Sequence, residues 1–416
     1  MMHKRLAIIG GGPAGMMAAI AARETDPACL VTLFERLDRV GKKLLATGNG
    51  RCNLTNKNAL QAVEKDGLFL PVHYHGKHPD FALPALKSFP PQQLLSFFDR
   101  LGMPSRLEDT QYYPYSESAG TVLDLLRFYC ETRQIRIQTG SPVLKLCKTK
   151  GQFEINGQYF DRCIVAAGGK ASPHLGSDGS GYALLQQFGH KCTPLYPAIT
   201  QIKTETQWVK QLKGIKCDAA VSIFLNGRLY QTQTGQLLFA EYGLSGPPVF
   251  QIARAVSAHP DKRAQIRIDF MPEHTDQQLY TRIRSVIVQP FTQSLRLDLL
   301  LAPLLHKRIG QVLIKSCGLS LQMPAADLTD KQISQIIQAI KGFTLTANGV
   351  NGFSNAQVTA GGIQTGGFDP ATMQSKLQAG LFAAGEILDI DGDCGGFNLQ
   401  WAFSSGRLAG RSAVLL

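Results

Sequence analysis

The sequence lacks the marks of a disulfide-stapled or membrane-spanning protein. Its nine cysteines, at 29, 52, 130, 147, 163, 192, 217, 317 and 394, never come closer than sixteen positions. With no CxxC pair and no clustered ligand spacing, dithiol redox chemistry and a structural metal are both disfavoured. No uninterrupted apolar run approaches the roughly 18 residues that cross a bilayer. The longest apolar stretch, Leu6 to Ala22, is broken by three consecutive glycines and Pro13. No small-residue cleavage site follows it, so it reads as strand, turn and helix rather than as a signal peptide. The expectation is a cytoplasmic protein, with no membrane association, in which the Asn53-Leu54-Thr55 sequon is inert.

Acidic residues are also scarce, 31 against 43 Lys and Arg, for a formal charge of +12. The excess is uneven. From Ile199 to Lys315 there are fifteen basic and eight acidic residues, whereas Val358 to Leu416 has three basic and five acidic. A basic middle segment suits either a solvated surface or a polyanionic partner.

What is present is a globular pattern of 416 residues, 44% hydrophobic, enough for two or three cores. Arg5 to Gly10 reads as a buried strand, the Ala-rich run after it as a tightly packed helix, and Cys29 to Arg36 as the next strand, a βαβ unit. Helical patterns follow at Gln92–Leu101 and Thr121–Thr132, and strand-like runs at Ile135–Gln138, Val143–Lys148, Gln152–Ile155 and Cys163–Ala167. After about Pro197 short strands dominate (Ala219–Leu225, Leu237–Ala240, Gln265–Phe270), then helices (Gln277–Val288, Leu304–Ser316, Lys331–Ile340). From about Gly342 glycine-rich loops return, with a strand at Gly380–Ala384 and a helix at Leu399–Ala413.

Gly10, Gly12 and Gly15 form GxGxxG directly after a strand and at the start of a helix, and Glu35 ends the next strand. The three glycines serve a tight turn, a close approach of backbone to a pyrophosphate and helix-on-strand packing. The helix N-terminus favours negative charge, and the acid suits a ribose diol. Together they predict an adenine-dinucleotide site. Two other constellations are weaker. Asp389, Asp391 and Asp393 alternate like a calcium loop, but Cys394 and Gln400 stand at its sixth and twelfth positions. His73, His75 and His78 have no second ligand group at a recognisable spacing and read as a surface loop.

Four further blocks complete the pattern: ERLDRVGKKLLATGNGRCNLTN, LLFAEYGLSGPPVF, NAQVTAGGI and AGEILDIDGDCGGFNLQWAFSSG. With GGGPAG, they make the chain resemble, from end to end, the YhiN/BaiN-like (RdsA/aminoacetone oxidase-like) family of NAD(P)/FAD-dependent oxidoreductases, a branch of the glutathione-reductase-like flavoproteins. The resemblance implies an α/β fold: a Rossmann-type FAD-binding domain assembled from both chain ends (1–197 and 342–416), interrupted by an inserted β-rich then helical region (198–341). It also implies FAD held by Gly10, Gly12, Pro13, Ala14, Gly15, Glu35, Arg36, Lys43, Gly50, Arg51, Cys52, Asn53, Val143, Ala167, Gly168, Gly385, Glu386, Gly396, Asn398 and Leu399.

Cys52 is first a loop residue beside the flavin. Its alternative role is that of a proton donor or redox thiol, and Thr359, in the loop TAGGI, is the other catalytic candidate. The segment Tyr112 to Tyr115 is expected near the same cavity. With one dinucleotide fingerprint, NAD(P)H would visit as a transient hydride donor. The family's substrates include a steroid-like enone, aminoacetone and a uracil of 23S ribosomal RNA. The resemblance thus implies an enzyme that passes hydride from NAD(P)H through the flavin to a conjugated C=C acceptor, a uridine of 23S ribosomal RNA held by the basic insert, or alternatively a small-molecule flavin reductase or oxidase acting by enone reduction or aminoacetone oxidation.

Overall fold

In the computed structural model, which describes residues 3–65, 68–292 and 294–416, the chain forms two compact units, Met1–Pro197 with Phe353–Leu416, and Ala198–Gly352. The first holds a five-stranded parallel sheet in the order Leu381–Ala383, Arg162–Val165, Arg5–Ile9, Leu30–Phe34, Arg136–Gln138. Its strands are short and almost wholly apolar, as expected of a sheet covered on both faces. The helix Pro13–Thr25 is buried along Ala14 to Ala22. It meets the C-terminal helix Phe397–Leu415 so closely that a Cβ on Gly406 would lie 2.2 Å from the Ala14 carbonyl oxygen and one on Gly410 2.1 Å from that of Ala18. Small residues on both helices permit this approach, which brings the two ends of the chain into one core.

The second unit is a closed six-stranded barrel, Ile202–Thr204, Gly243–Ser245, Arg228–Ala240, Lys216–Leu225, Ala264–Asp269 and Phe343–Val350. Alternating Val221, Ile223, Ile266, Ile268 and Leu345 fill it, and the helices Pro247–Ser257, Asp276–Ile287, Lys307–Ser316 and Asp330–Gly342 share the same core. Capping boxes, Thr275 with Gln278 and Thr329 with Gln332, start two of these helices.

Three expectations change. The insert does not end at 341: Phe343–Val350 pairs with both Ala264–Asp269 and Ile202–Thr204 and closes the barrel. The strand expected over Leu237–Ala240 is the end of a thirteen-residue strand, Arg228–Ala240, whose polar first part lacks apolar alternation. The strand expected over Val143–Lys148 is reduced to Cys147–Thr149, because the preceding residues run as a loop. Among the described residues, no helix is long and apolar enough to cross a membrane.

Candidate dinucleotide site

The glycine-rich turn lies at the carboxyl end of the central strand, where ligands sit in open α/β sheets. Its three motif glycines divide into two kinds. A Cβ on Gly10 would lie 2.4 Å from the Ala166 carbonyl oxygen, and one on Gly15 1.9 Å from that of Gly10, so both are needed for packing. A Cβ on Gly12 would meet nothing within 4 Å. That open space belongs to a cavity of about 220 Å³ lined by Gly10, Gly11, Gly12, Pro13 and Ala14. No side chain caps the helix N-terminus at Gly12, which leaves its first-turn dipole available to an anion.

Glu35, buried at the end of the second strand, accepts hydrogen bonds from the Gly11 N–H at 2.9 Å and the Leu37 N–H at 2.8 Å. Two donors fix the carboxylate, and its remaining lone pairs stay available to hydroxyl donors. Arg36 forms an ion pair with Asp178 at 2.8 Å, and its Nε is buried without a hydrogen-bond partner among the described residues. Lys43 pairs with Glu386 at 2.7 Å and reaches Ser177 Oγ at 3.5 Å. The loop Ser141, Pro142, Val143 and Leu144 forms another wall, with Ala167 and Gly168. Val143 contributes as a loop residue.

The cavity therefore brings together Gly10, Gly12, Pro13, Ala14, Glu35, Arg36, Lys43, Val143, Ala167, Gly168 and Glu386. Gly15 lies beneath it, in the packing of helix on strand. Asp178, Ser177 and Arg39 also line it and escaped the sequence reading. Only Asp178 carried a local signal: its carboxylate accepts from the Ser180 N–H at 3.0 Å at the start of a short helix, a turn written as Ser-Asp-Gly-Ser.

Other expected residues lie outside the cavity wall. The Arg51 guanidinium pairs with Glu108 at 2.6 Å and Glu117 at 3.2 Å and lies 4.2 Å from the centre of the Tyr113 ring, in a network that Arg106 completes. Asn53 hydrogen-bonds Gln111 at 3.4 Å, and Gly50 faces open space. The Gly385 N–H donates to Ser405 Oγ. Asn398 ties the Gly392 N–H and carbonyl to the start of the last helix, and Gly396 and Leu399 pack there. Within the segment Tyr112 to Tyr115, Tyr113 lies under Arg51, while Tyr115 is exposed.

The two catalytic candidates lie in enclosed surroundings. Cys52 is fully buried, and burial pushes its thiol up to about 12 against a weaker opposing hydrogen bond with Thr47. A reactive thiol needs exposure and a nearby cation, and the guanidinium next to it is committed to Glu108 and Glu117. Thr359 is also fully buried, and its hydroxyl accepts from the Lys170 N–H at 2.7 Å and the Ala171 N–H at 2.9 Å. Its own N–H donates to Glu386 at 2.8 Å. Thr359 ties the loop after Gly168 to the Lys43–Glu386 pair.

The histidine-rich stretch is likewise more than a solvated loop. His73 Nδ1 and His75 Nε2 lie 2.9 and 2.8 Å from the two carboxylate oxygens of Asp393, and the His73 ring stacks on Phe397. Burial works to raise the Asp393 carboxyl, but the hydrogen bonds of the two rings outweigh it and hold the group below its ordinary range. Among the described residues, no group of three His, Cys, Asp or Glu side chains could hold a metal ion.

Residues 4–412 match the HI0933-like protein Rossmann domain family. The chain is 39% identical to a 3-dehydro-bile acid delta(4,6)-reductase of Clostridium scindens, over 99% of each chain. It is 28% identical to a ribosomal RNA dihydrouridine synthase of Escherichia coli, over 96% of this chain and 95% of that one. Among solved structures, a 3-ketosteroid delta1-dehydrogenase from Sterolibacterium denitrificans aligns over 99% of both chains at 12% identity, with a TM-score of 0.49.

Proposed function

This chain belongs to the HI0933-like Rossmann family, and from that premise we propose that it is an FAD-dependent oxidoreductase that reduces a carbon–carbon double bond conjugated to a carbonyl. The observation that carries the FAD assignment is the division of the glycine motif, with Gly10 and Gly15 packed and Gly12 facing empty space beside an uncapped helix N-terminus. The donor set fits the cofactor. The first turn of the helix suits a pyrophosphate, Glu35 a ribose diol, and the apolar wall of Pro142, Val143 and Leu144 an adenine. Bound there, FAD supplies two-electron hydride chemistry.

The chain's own residues bind and orient. Glu35 is immobilised by two backbone donors, so little freedom is lost when it accepts a hydroxyl. Lys43, held by Glu386, places a cation at the wall, and Thr359 holds Glu386 and the neighbouring backbone in one arrangement. Cys52 stays a neutral, enclosed thiol and takes no part in proton transfer. The net reaction places a hydride equivalent on the carbon far from the carbonyl and a proton on the near carbon, while NAD(P)H, a transient visitor, becomes NAD(P)⁺. Enones and uracil share this acceptor logic, since hydride addition to either leaves an enolate-type anion.

The small-molecule form of the reading rests on the 39% identity to the bile acid reductase over the full length. The RNA form is kept alive by the basic insert and the dihydrouridine synthase relatives. Anaerobic protein reduced with NADH or NADPH should be reoxidised by a steroid enone or by a uracil-containing RNA. Reoxidation by neither, in protein that holds FAD, would reject the proposed acceptor chemistry.

A further inference from the structure

We infer that the tip of the long hairpin in the inserted unit, built around Arg228, Tyr230, Lys262 and Arg263, is a docking surface for single-stranded RNA; this rests on the RNA form of the reading above. The tip is rigid. Leu225 pairs with Arg228, leaving Asn226 and Gly227 as a two-residue turn with φ of 49° and 79°, a hairpin geometry that Asn-Gly favours. The Asn226 N–H donates to the Arg263 carbonyl at 2.9 Å, and the Arg263 N–H returns a bond to Asn226 Oδ1 at 2.9 Å. The turn and the connection at Asp261–Arg263 therefore form one surface.

That surface combines features that a merely soluble loop does not need. Leu229 is 58% and Tyr230 56% exposed, side by side. With Leu225, Asn226, Arg228 and Lys262 they line a shallow hollow. The Tyr230 ring is held edge-on against His259, with centroids 5.9 Å apart, so an oriented aromatic face is kept in solvent. Arg228, Lys262 and Arg263 form no ion pair among the described residues, and Asp261 is the one carboxylate in either segment. Some other cations of this unit are paired, Lys213 to Glu241 at 2.7 Å and Arg296 to Asp298 at 3.3 Å. Beyond Tyr230 the strand continues as Gln-Thr-Gln-Thr-Gly-Gln, without a charge.

Unpaired cations beside an exposed ring, an apolar floor and a run of amides and hydroxyls are the elements of a platform for a single strand: phosphates meet the cations and an unstacked base meets the ring. A duplex would present the phosphates but hide its base faces, which leaves Tyr230 without a purpose. An acidic protein would need the cations alone.

The test uses the full-length protein with bound FAD and a short fluorescent oligouridine, with its annealed duplex as comparison, across a salt series. Single-strand binding should exceed duplex binding and weaken with salt. The triple reversal R228E/K262E/R263E should flatten the slope by about 2, at about 0.7 per lost phosphate contact. Tyr230→Ala should weaken binding roughly 5- to 150-fold through lost stacking, while Tyr230→Phe should not. FAD content and enone reduction should be unchanged in all of them, so loss of RNA binding is separable from failure of the flavin reading. Wild-type protein that ignores the oligonucleotide, or variants that bind it as wild type does, would overturn the proposal. So would a poly-glutamate peptide that competes fully and whose binding responds to the charge reversal but not to Tyr230→Ala, which would assign the surface to an acidic protein.

Discussion

Lys43 and Glu386, 343 residues apart in sequence, meet at 2.7 Å on the wall of the cavity. The contact joins the N-terminal and C-terminal segments of the first unit on the wall of the cavity proposed to hold the anionic FAD. Lys43→Met removes a cation and leaves an unpaired carboxylate facing that anion. FAD affinity should fall roughly 10- to 100-fold, as expected for a lost charge-assisted bond. The double variant K43M/E386Q should bind FAD more tightly than K43M alone, because the repulsive carboxylate is gone. Equal affinities for the two in a fluorescence titration would show that the pair does not face the cofactor.

The divided glycine motif allows folding and binding to be separated. Gly12→Val should fold with an unchanged apo melting temperature and retain no yellow colour, since its side chain enters space that only a ligand would use. Gly15→Val should unfold, because its Cβ alone would lie 1.9 Å from a carbonyl oxygen. Melting curves of the apo proteins and the flavin-to-protein absorbance ratio measure the two effects independently. A Gly12→Val protein that stays yellow would remove the basis of the FAD assignment.

A thiol pushed up to about 12 remains protonated throughout the working pH range, so Cys52 should resist thiol reagents in the native protein and react only after unfolding. Cys52→Ser should leave flavin reduction and acceptor reduction in their wild-type ratio. Its effect should be on stability, a loss of about 1–3 kcal/mol for a hydroxyl placed in an enclosed site. A selective fall in acceptor reduction would return the residue to the chemistry.

The Asp393 clamp makes a pH-dependent contribution with a defined sign. Its carboxyl lies below the ordinary range in the folded protein, so the stability it adds is present above the unfolded-state value of about 3.9 and is lost as pH falls toward the lower folded-state value. Melting temperatures in a pH series should drop more steeply for wild type than for Asp393→Asn within that acid window. Parallel curves would show that His73 and His75 do not stabilise the charged form.

What could be read in the sequence was local. Each motif glycine acts on atoms a few residues away or on a phosphate, so spacing alone located the turn, the helix and Glu35. What could not be read was pairing at a distance. Asp393 lies 320 residues from His73 and 318 from His75, so a histidine clamp looked like a surface loop. The strand Phe343–Val350 was placed on the wrong side of a boundary because barrel closure is a property of its partners, not of its own composition. In sequence Arg51 stands next to Cys52 as a bare cation, and its partners Glu108 and Glu117 are brought alongside only by the fold.

Thr359 is the sharpest case of a side chain whose sequence context suggests chemistry and whose contacts describe support. Its hydroxyl oxygen accepts from two backbone N–H groups of the loop after Gly168, and its N–H holds Glu386. Thr359→Val keeps the shape but removes the acceptor, so the Lys170 and Ala171 donors lose their partner, at about 1–3 kcal/mol for each donor that stays buried. Thr359→Ser retains the oxygen and should lose only the packing of one methyl group, about 1 kcal/mol. If the residue supported the site without entering the reaction, Thr359→Ser would keep both FAD affinity and turnover, while Thr359→Val would lose stability and FAD affinity together, with turnover per bound flavin preserved. Stopped-flow reduction normalised to flavin content separates these outcomes from a chemical role, in which turnover per flavin would fall in Thr359→Val while melting temperature and affinity held.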